Sequence, residues 1–188
     1  MAKSSLRVKS DNVPDLHAVM QRLTQREVLV GFPEENTVRE SGELSEPTNA
    51  SLGYIHDNGA PEANIPARPF MLPALESVRD QMAEGLAAGA RGMLRRQSLE
   101  ELEKGLHRVG FIAEVAIKTK INEGIPPPLA NSTLRARASR GREGAMWELA
   151  WRQAGAPAGT ELAKPLIDTG QMRNAVKYVI RDRKQRKL

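Results

Sequence analysis

Few residues in this chain have the types and spacing that catalysis needs, and each can be weighed alone. His56 stands beside Asp57, a pair suited to acid–base work or to a metal. Neighbouring residues of a helix point about 100° apart, so the two side chains do not converge. No second histidine or carboxylate follows at i+3 or i+4 to complete a metal face. His17 and His107 fall inside helical patterns and read as surface or boundary residues. The triplet Asp168-Thr169-Gly170 has the letters of the aspartic-protease motif. That chemistry needs two carboxylates sharing one site, and only one such triplet is present, with a helical pattern directly after it.

The chain has no cysteine, which removes disulfides and thiolate chemistry. LVGF (29–32) lacks the repeated glycines that let a backbone cradle phosphate, and there is no Walker loop, dinucleotide fingerprint or GxSxG. The reading is therefore non-enzymatic, with no catalytic residue, no metal and no cofactor expected. A binding or assembly role gains by subtraction.

Charge is distributed unevenly. Residues 1–117 carry 13 Lys/Arg against 17 Asp/Glu; residues 118–142 carry 6 against 1; residues 143–180 balance at 4 each. The last eight, RDRKQRKL, carry 5 against 1. A mildly acidic body with two basic segments differs from the uniform basic face of a nucleic-acid binder. The segments read either as solvated stretches or as contacts to nucleic acid or an acidic neighbour. No apolar run reaches membrane-spanning length and the first residues lack a signal-peptide core, so no membrane partner is expected.

The elements that must position these residues follow from periodicity. LRVKS (6–10) and EVLVGF (27–32) read as strands, with a helix between them. Residues 33–50 read as an exposed acidic loop, and ASLGYIHDNG as a short helix with Asn49 as cap and Gly59 past its end. From Leu72 to Met93, and again from Leu99 to Ile121, apolar residues recur every three or four positions, predicting two long helices with a break near 96–98. Ser98 and Glu101 fit a capping box there. EGIPPPL (123–129) ends the second helix. Residues 123–145 read as an extended loop or arm, and MWELAWRQAG (146–155) as a short helix. Asp168 caps a last short helix in this reading, with Thr169 and Gly170 in the same corner. AVKYVIRD then alternates as a strand. The fold class predicted is α+β: a small, mostly antiparallel sheet packed on two long helices. One domain spans 1–180, and 181–188 form a basic carboxy-terminal tail.

NIPARPFMLPALE (64–76) is unusually stiff. Pro66, Pro69 and Pro73 restrict φ, and the residues before the first two are pushed toward extended conformations. The segment reads as a strut that ends in a helix start, with Phe70 and Met71 anchoring it and Arg68 projecting from rigid backbone toward a neighbour.

Three segments together resemble tailed-bacteriophage neck and tail-completion (virion-morphogenesis) proteins. YIHDNGAPEANIPARPFMLPALE (54–76) is similar to their run of helix, glycine, Pro/Arg/Phe strut and long helix. PPLANSTLRAR (127–137) resembles their Pro-Leu-x-x-x-Thr-Leu segment. KPLIDTGQMRNAV (164–176) is similar to their Pro-Leu-Ile-Asp-Thr-Gly-x-Leu-Arg-x-Ser motif, with Met172 in place of Leu and Asn174-Ala175 in place of the hydroxyl position.

The resemblance implies a structural virion protein, assembled in the bacterial cytoplasm, that forms or completes a ring at the head-to-tail neck. Its implied partners are copies of itself, the head-tail adaptor, the tail terminator or tail tube, and the double-stranded DNA in the lumen. Subunit or ring contacts are then expected at Arg68 and Phe70, at Arg135, Arg137 and Arg140, and in the tail at Arg183, Lys184, Arg186 and Lys187. A basic DNA-binding protein of phage or prophage origin is the alternative.

Overall fold

Apolar side chains at three- and four-residue spacing form helices that bury one stripe, and the longest such run here becomes the central element. A computed structural model of the chain describes residues 17, 21, 24–33, 47–96 and 98–183. The expected strand at 6–10, residues 34–46 of the acidic loop and residues 184–188 of the tail lie outside these. Among the described residues the fold is α+β, with seven α-helices and one two-stranded antiparallel sheet.

The elements in order are β1 (Arg26–Gly31), α1 (Asn49–Asn58), α2 (Met71–Ser77), α3 (Arg79–Arg96), α4 (Leu99–Asn122), α5 (Asn131–Ser139), α6 (Glu143–Gln153), α7 (Gln171–Ala175) and β2 (Lys177–Asp182). Leu102, Leu106, Val109, Ala113, Ile117 and Ile121 form the buried stripe of α4. The break before α4 falls where the capping pattern put it, with the Ser98 Oγ accepting from the Glu100 N–H at 3.3 Å. The first helical run is interrupted at Val78, where the Ser77 Oγ donates to the Ala74 carbonyl at 2.7 Å. A short polar side chain that bonds its own helix backbone in this way competes with the helical ladder.

Helices α3 and α4 lie antiparallel and touch through glycines. A Cβ on Gly105 would stand 2.8 Å from the Gly89 Cα, and one on Gly89 3.0 Å from the Gly105 Cα. Val28 and Ile180, opposite one another in the ladder, cover Met93, Leu102 and Leu106 at this end. Tyr178 lays its ring across Gly110, where any side chain would collide with it. A second core gathers Phe70, Ala74, Ile117, Ile121, Leu166, Met172 and Val176. A third, smaller cluster holds α5 and α6 together through Leu129, Leu134, Ala145 and Ala163.

Three expectations are corrected. The cap of α1 is Thr48, whose Oγ1 accepts from the Ser51 N–H at 3.1 Å, while Asn49 is buried inside the helix. Residues 123–145 are not an arm, because α5 forms within them and buries Leu134 and Arg137. Asp168 does not cap α7. Gly170 holds the cap position at φ 81°, and the Thr169 Oγ1 accepts from the Gln171 N–H at 3.3 Å.

Candidate interaction site: an arginine clasp and an exposed indole face

Between α4 and α5, and again between α6 and α7, the backbone is irregular and its carbonyls have no ladder to join. Buried carbonyls must still be hydrogen-bonded, and here cationic side chains do it. Arg68, only 4% exposed, donates from Nε and Nη2 to the Pro127 carbonyl at 3.0 and 2.8 Å. Arg137 Nη1 donates to the carbonyls of Lys164 (2.9 Å) and Ile167 (2.7 Å), and its Nη2 to that of Pro165 (2.9 Å). Arg152 Nη1 reaches the Leu129 carbonyl at 2.8 Å and Asn131 Oδ1 at 2.9 Å. Lys164 Nζ donates to the Asn122 carbonyl. A planar guanidinium presents five donors in a fixed fork, which suits this bracing of several carbonyls at once.

The strut is anchored by Phe70, and Arg68 does not project from it to a neighbour. Phe70 is fully buried and Pro73 sits in the first turn of α2. Residues 66–70 between Ile65 and α2 are in no helix or strand. Arg68, however, turns inward to Pro127 and is not a surface group. Asp57 supplies an unforeseen part: its Oδ1 accepts from the N–H groups of Phe70 (2.7 Å) and Met71 (3.0 Å). One carboxylate, brought from the end of α1, thus serves the free amides at the start of α2. His56 lies beside it with Nδ1 buried and unpartnered. Burial, then the charges of Arg68 and Arg137, hold its imidazole below the ordinary histidine range. Arg68 and Arg137 are themselves pushed down by burial.

Carboxylates are likewise committed to structure. Asp168 pairs with Arg140 at 2.8 Å and Arg142 at 3.1 Å. Glu148, fully buried, accepts from Arg152 and from the Gly159 N–H, both at 2.8 Å. Burial pushes the Glu114 carboxyl up, but Lys118, the Tyr178 N–H and Lys177 outweigh it and hold it below its ordinary value. Among the described residues no group of three His, Asp or Glu converges as a cation site. No described helix is long and apolar enough to cross a membrane.

The expected interface residues therefore separate. Arg68, Phe70 and Arg137 are internal, and Arg140 is bound to Asp168. Arg135 and Arg183 are exposed, and Lys184, Arg186 and Lys187 lie outside the described residues. The exposed feature that residue-by-residue reading passed over is the indole pair. Trp147 and Trp151 stand four apart on α6, 66% and 58% exposed, over a cavity of about 580 Å³ walled by Pro157, Gly159 and Leu162. The four-residue spacing was a usable signal, since it places both rings on one helix face. Compared with known proteins, the chain matches no family model, no curated protein and no solved structure.

Proposed function

We propose that this chain is a structural virion protein of the neck of a tailed bacteriophage, which forms or completes a ring joining head to tail around the DNA channel. The observation that carries the reading is how the three resembling segments meet. Arg68 of the first donates to the Pro127 carbonyl of the second, and Arg137 of the second donates to three carbonyls of the third. Segments that are far apart in the chain yet hold one another in place support a single fold signature better than three separate coincidences. In this reading the chain has no catalytic residue. Its partners are copies of itself and the adjoining neck proteins, and its place is the virion.

The charge arrangement favours this over the DNA-binding alternative. In the basic stretch 118–142, Lys118 pairs with Glu114, Lys120 with Glu123, and Arg140 and Arg142 with Asp168. Arg137 is spent on carbonyls. Only Arg135 of that stretch has no such partner among the described residues. Phosphate binding draws its strength from Lys and Arg free to release counterions, and little of that capacity is left here. A mixed surface of this kind suits DNA that slides through a ring.

The decisive experiment is deletion of the gene in a phage that carries it, with particles counted by negative-stain microscopy. Unjoined heads and tails, restored to whole virions by the gene in trans, are the expected result. Intact virions without the gene would overturn the reading, and a salt-dependent gel shift with duplex DNA would support the alternative.

A further inference from the structure

The indole face is the strongest unassigned surface of the molecule. The chain has only two tryptophans. Aromatic side chains are the largest contributors to core burial, and a chain with 4% aromatic residues has few to spare. Both tryptophans are nevertheless placed outside, side by side on α6. Their apolar neighbours Leu162 and Met146 are 46% and 52% exposed. Indoles grouped over a cavity, rather than scattered, mark a contact surface.

The rim says what kind of partner fits. Glu161 lines the cavity and is exposed; Glu143, exposed one turn before Trp147, lines the neighbouring cavity with Arg137, Arg142 and Lys164. Neither has an ion pair among the described residues. Glu148, under the rings, is already neutralised by Arg152. The cavity thus combines two ring faces with one unpaired carboxylate, Glu161. That pairing attracts guanidinium and ammonium groups, which gain over an indole face. Residues 183–188, RKQRKL, have four cations, no acid and a leucine.

We propose that the indole groove takes this basic segment from a second copy of the chain. The assignment to a second copy follows from reach. β2 ends at Asp182, which shares Arg26 with Glu103 near the start of α4. The α5–α6 lobe is tied down beyond the other end, through Lys164 on Asn122 and Arg152 on Leu129. Glu103 and Asn122 are about 28 Å apart at a rise of 1.5 Å per residue. Six extended residues span about 20 Å at most, so a chain's own tail falls short of its own groove. Tail of one copy into groove of the next is a heterologous contact, which propagates, and gives a ring where the rotation between copies closes. The proposal deepens the self-association in the reading above and is tested separately from any place in a virion.

The test uses the full chain carrying Lys184→Ala, Arg186→Ala and Lys187→Ala, which empties the groove of competing tail, and the synthetic peptide RKQRKL as probe. Because both tryptophans lie in the groove, intrinsic fluorescence reports occupancy directly. A saturable shift is expected, at least tenfold weaker in 500 mM than in 50 mM salt and at least tenfold weaker in Glu161→Lys. Trp151→Ala, followed with labelled peptide, loses binding by a similar factor. These side chains are exposed, so unchanged circular dichroism melting checks that each variant is folded. The unaltered chain should associate in a concentration-dependent way by sedimentation, and excess peptide should reverse this. Equal binding of AAQAAL, binding that ignores Glu161→Lys, or no saturable shift overturns the groove assignment. Peptide binding by a chain that stays monomeric overturns the second copy. Oligomers that survive tail neutralisation overturn it too, pointing to indole faces packed on each other.

Discussion

The α3–α4 hairpin and the clasped segments around α5 and α6 hold their shapes by opposite means. In the hairpin the stabilising contacts are apolar stripes and glycines that let two backbones approach. Away from the helix ends, backbone groups there are served by their own helix, so side chains are free to pack. In the clasp the backbone is irregular, and Arg68, Arg137, Arg152 and Lys164 reach over to bond its carbonyls. Where regular structure cannot satisfy the main chain, cations have been brought inside to do so. Arg68 and Arg137, at 4% and 9% exposed, are thus positive charges that do not belong to the surface.

The largest test of that contrast is Arg137→Ala. It strips one cation from the carbonyls of Lys164, Pro165 and Ile167. Hydrogen bonds to charged groups contribute roughly 1.5–3 kcal/mol each, and orphaned buried acceptors add to the loss, so about 4 kcal/mol of destabilisation is expected by denaturant unfolding. Arg137→Lys should recover less than half, because a point charge cannot replace a planar fork. Full recovery by lysine would mean that charge alone, not geometry, holds the segment.

Breaking the hairpin calls for the smallest possible side chain. Gly105→Ala places a Cβ 2.8 Å from the Gly89 Cα and 3.2 Å from the Gly85 carbonyl oxygen. Backbone cannot swing aside as a flexible side chain can, so the helices must separate. Overpacking of this kind costs about 2 kcal/mol, read as a lower midpoint in the same titration. A neutral result would show that the seam is looser than its spacing.

What was legible in the sequence divides along the same line. The stripe from Leu102 to Ile121, the Ser98 break, the alternating β2 and the buried Phe70 all follow from local periodicity or capping, which need only near neighbours in sequence. Arg68 and Arg137 were placed on the surface because charge usually lies there. Their partners are carbonyls 59 and 27 to 30 residues away, and no local pattern announces them. The same holds for α5: LANSTLRARASRG reads as polar loop until Leu134 and Arg137 are seen to be its inner face. Asp57 looked like half of a reactive pair, yet its work is at Phe70 and Met71. That role depends on how α1 meets the strut, not on its neighbour His56.

Asp57→Ala gives a smaller effect within the clasp side of the molecule. It leaves two amides at the start of α2 without their acceptor. Removal of a helix-start acceptor costs about 1–2 kcal/mol, and Asp57→Asn should recover part of this, since its side-chain oxygen still accepts. A loss confined to hydrogen-exchange protection near 70–74, with the α3–α4 hairpin unchanged, would show the two regions to be separable.

The smallest effect is a pH dependence that the hairpin interior should lack. His56 is half-buried near Arg68 and Arg137, and burial followed by those two charges lowers its pKa from the ordinary 6.5. The native state therefore resists a proton that the unfolded chain accepts. The stabilisation is fully present above the unfolded value of 6.5 and is lost as pH falls from there toward the lower native value. Glu114 acts separately, because its depressed carboxyl withdraws stability only as pH falls through and below 4.5. Unfolding between pH 7 and 5 should thus show a slope set by at most one proton. His56→Gln, which cannot titrate, should flatten that slope and leave the loss below 4.5 intact. An unchanged slope in the variant would place the titrating group elsewhere, and would mean that the two arginines of the clasp are too well screened to act on the imidazole beside them.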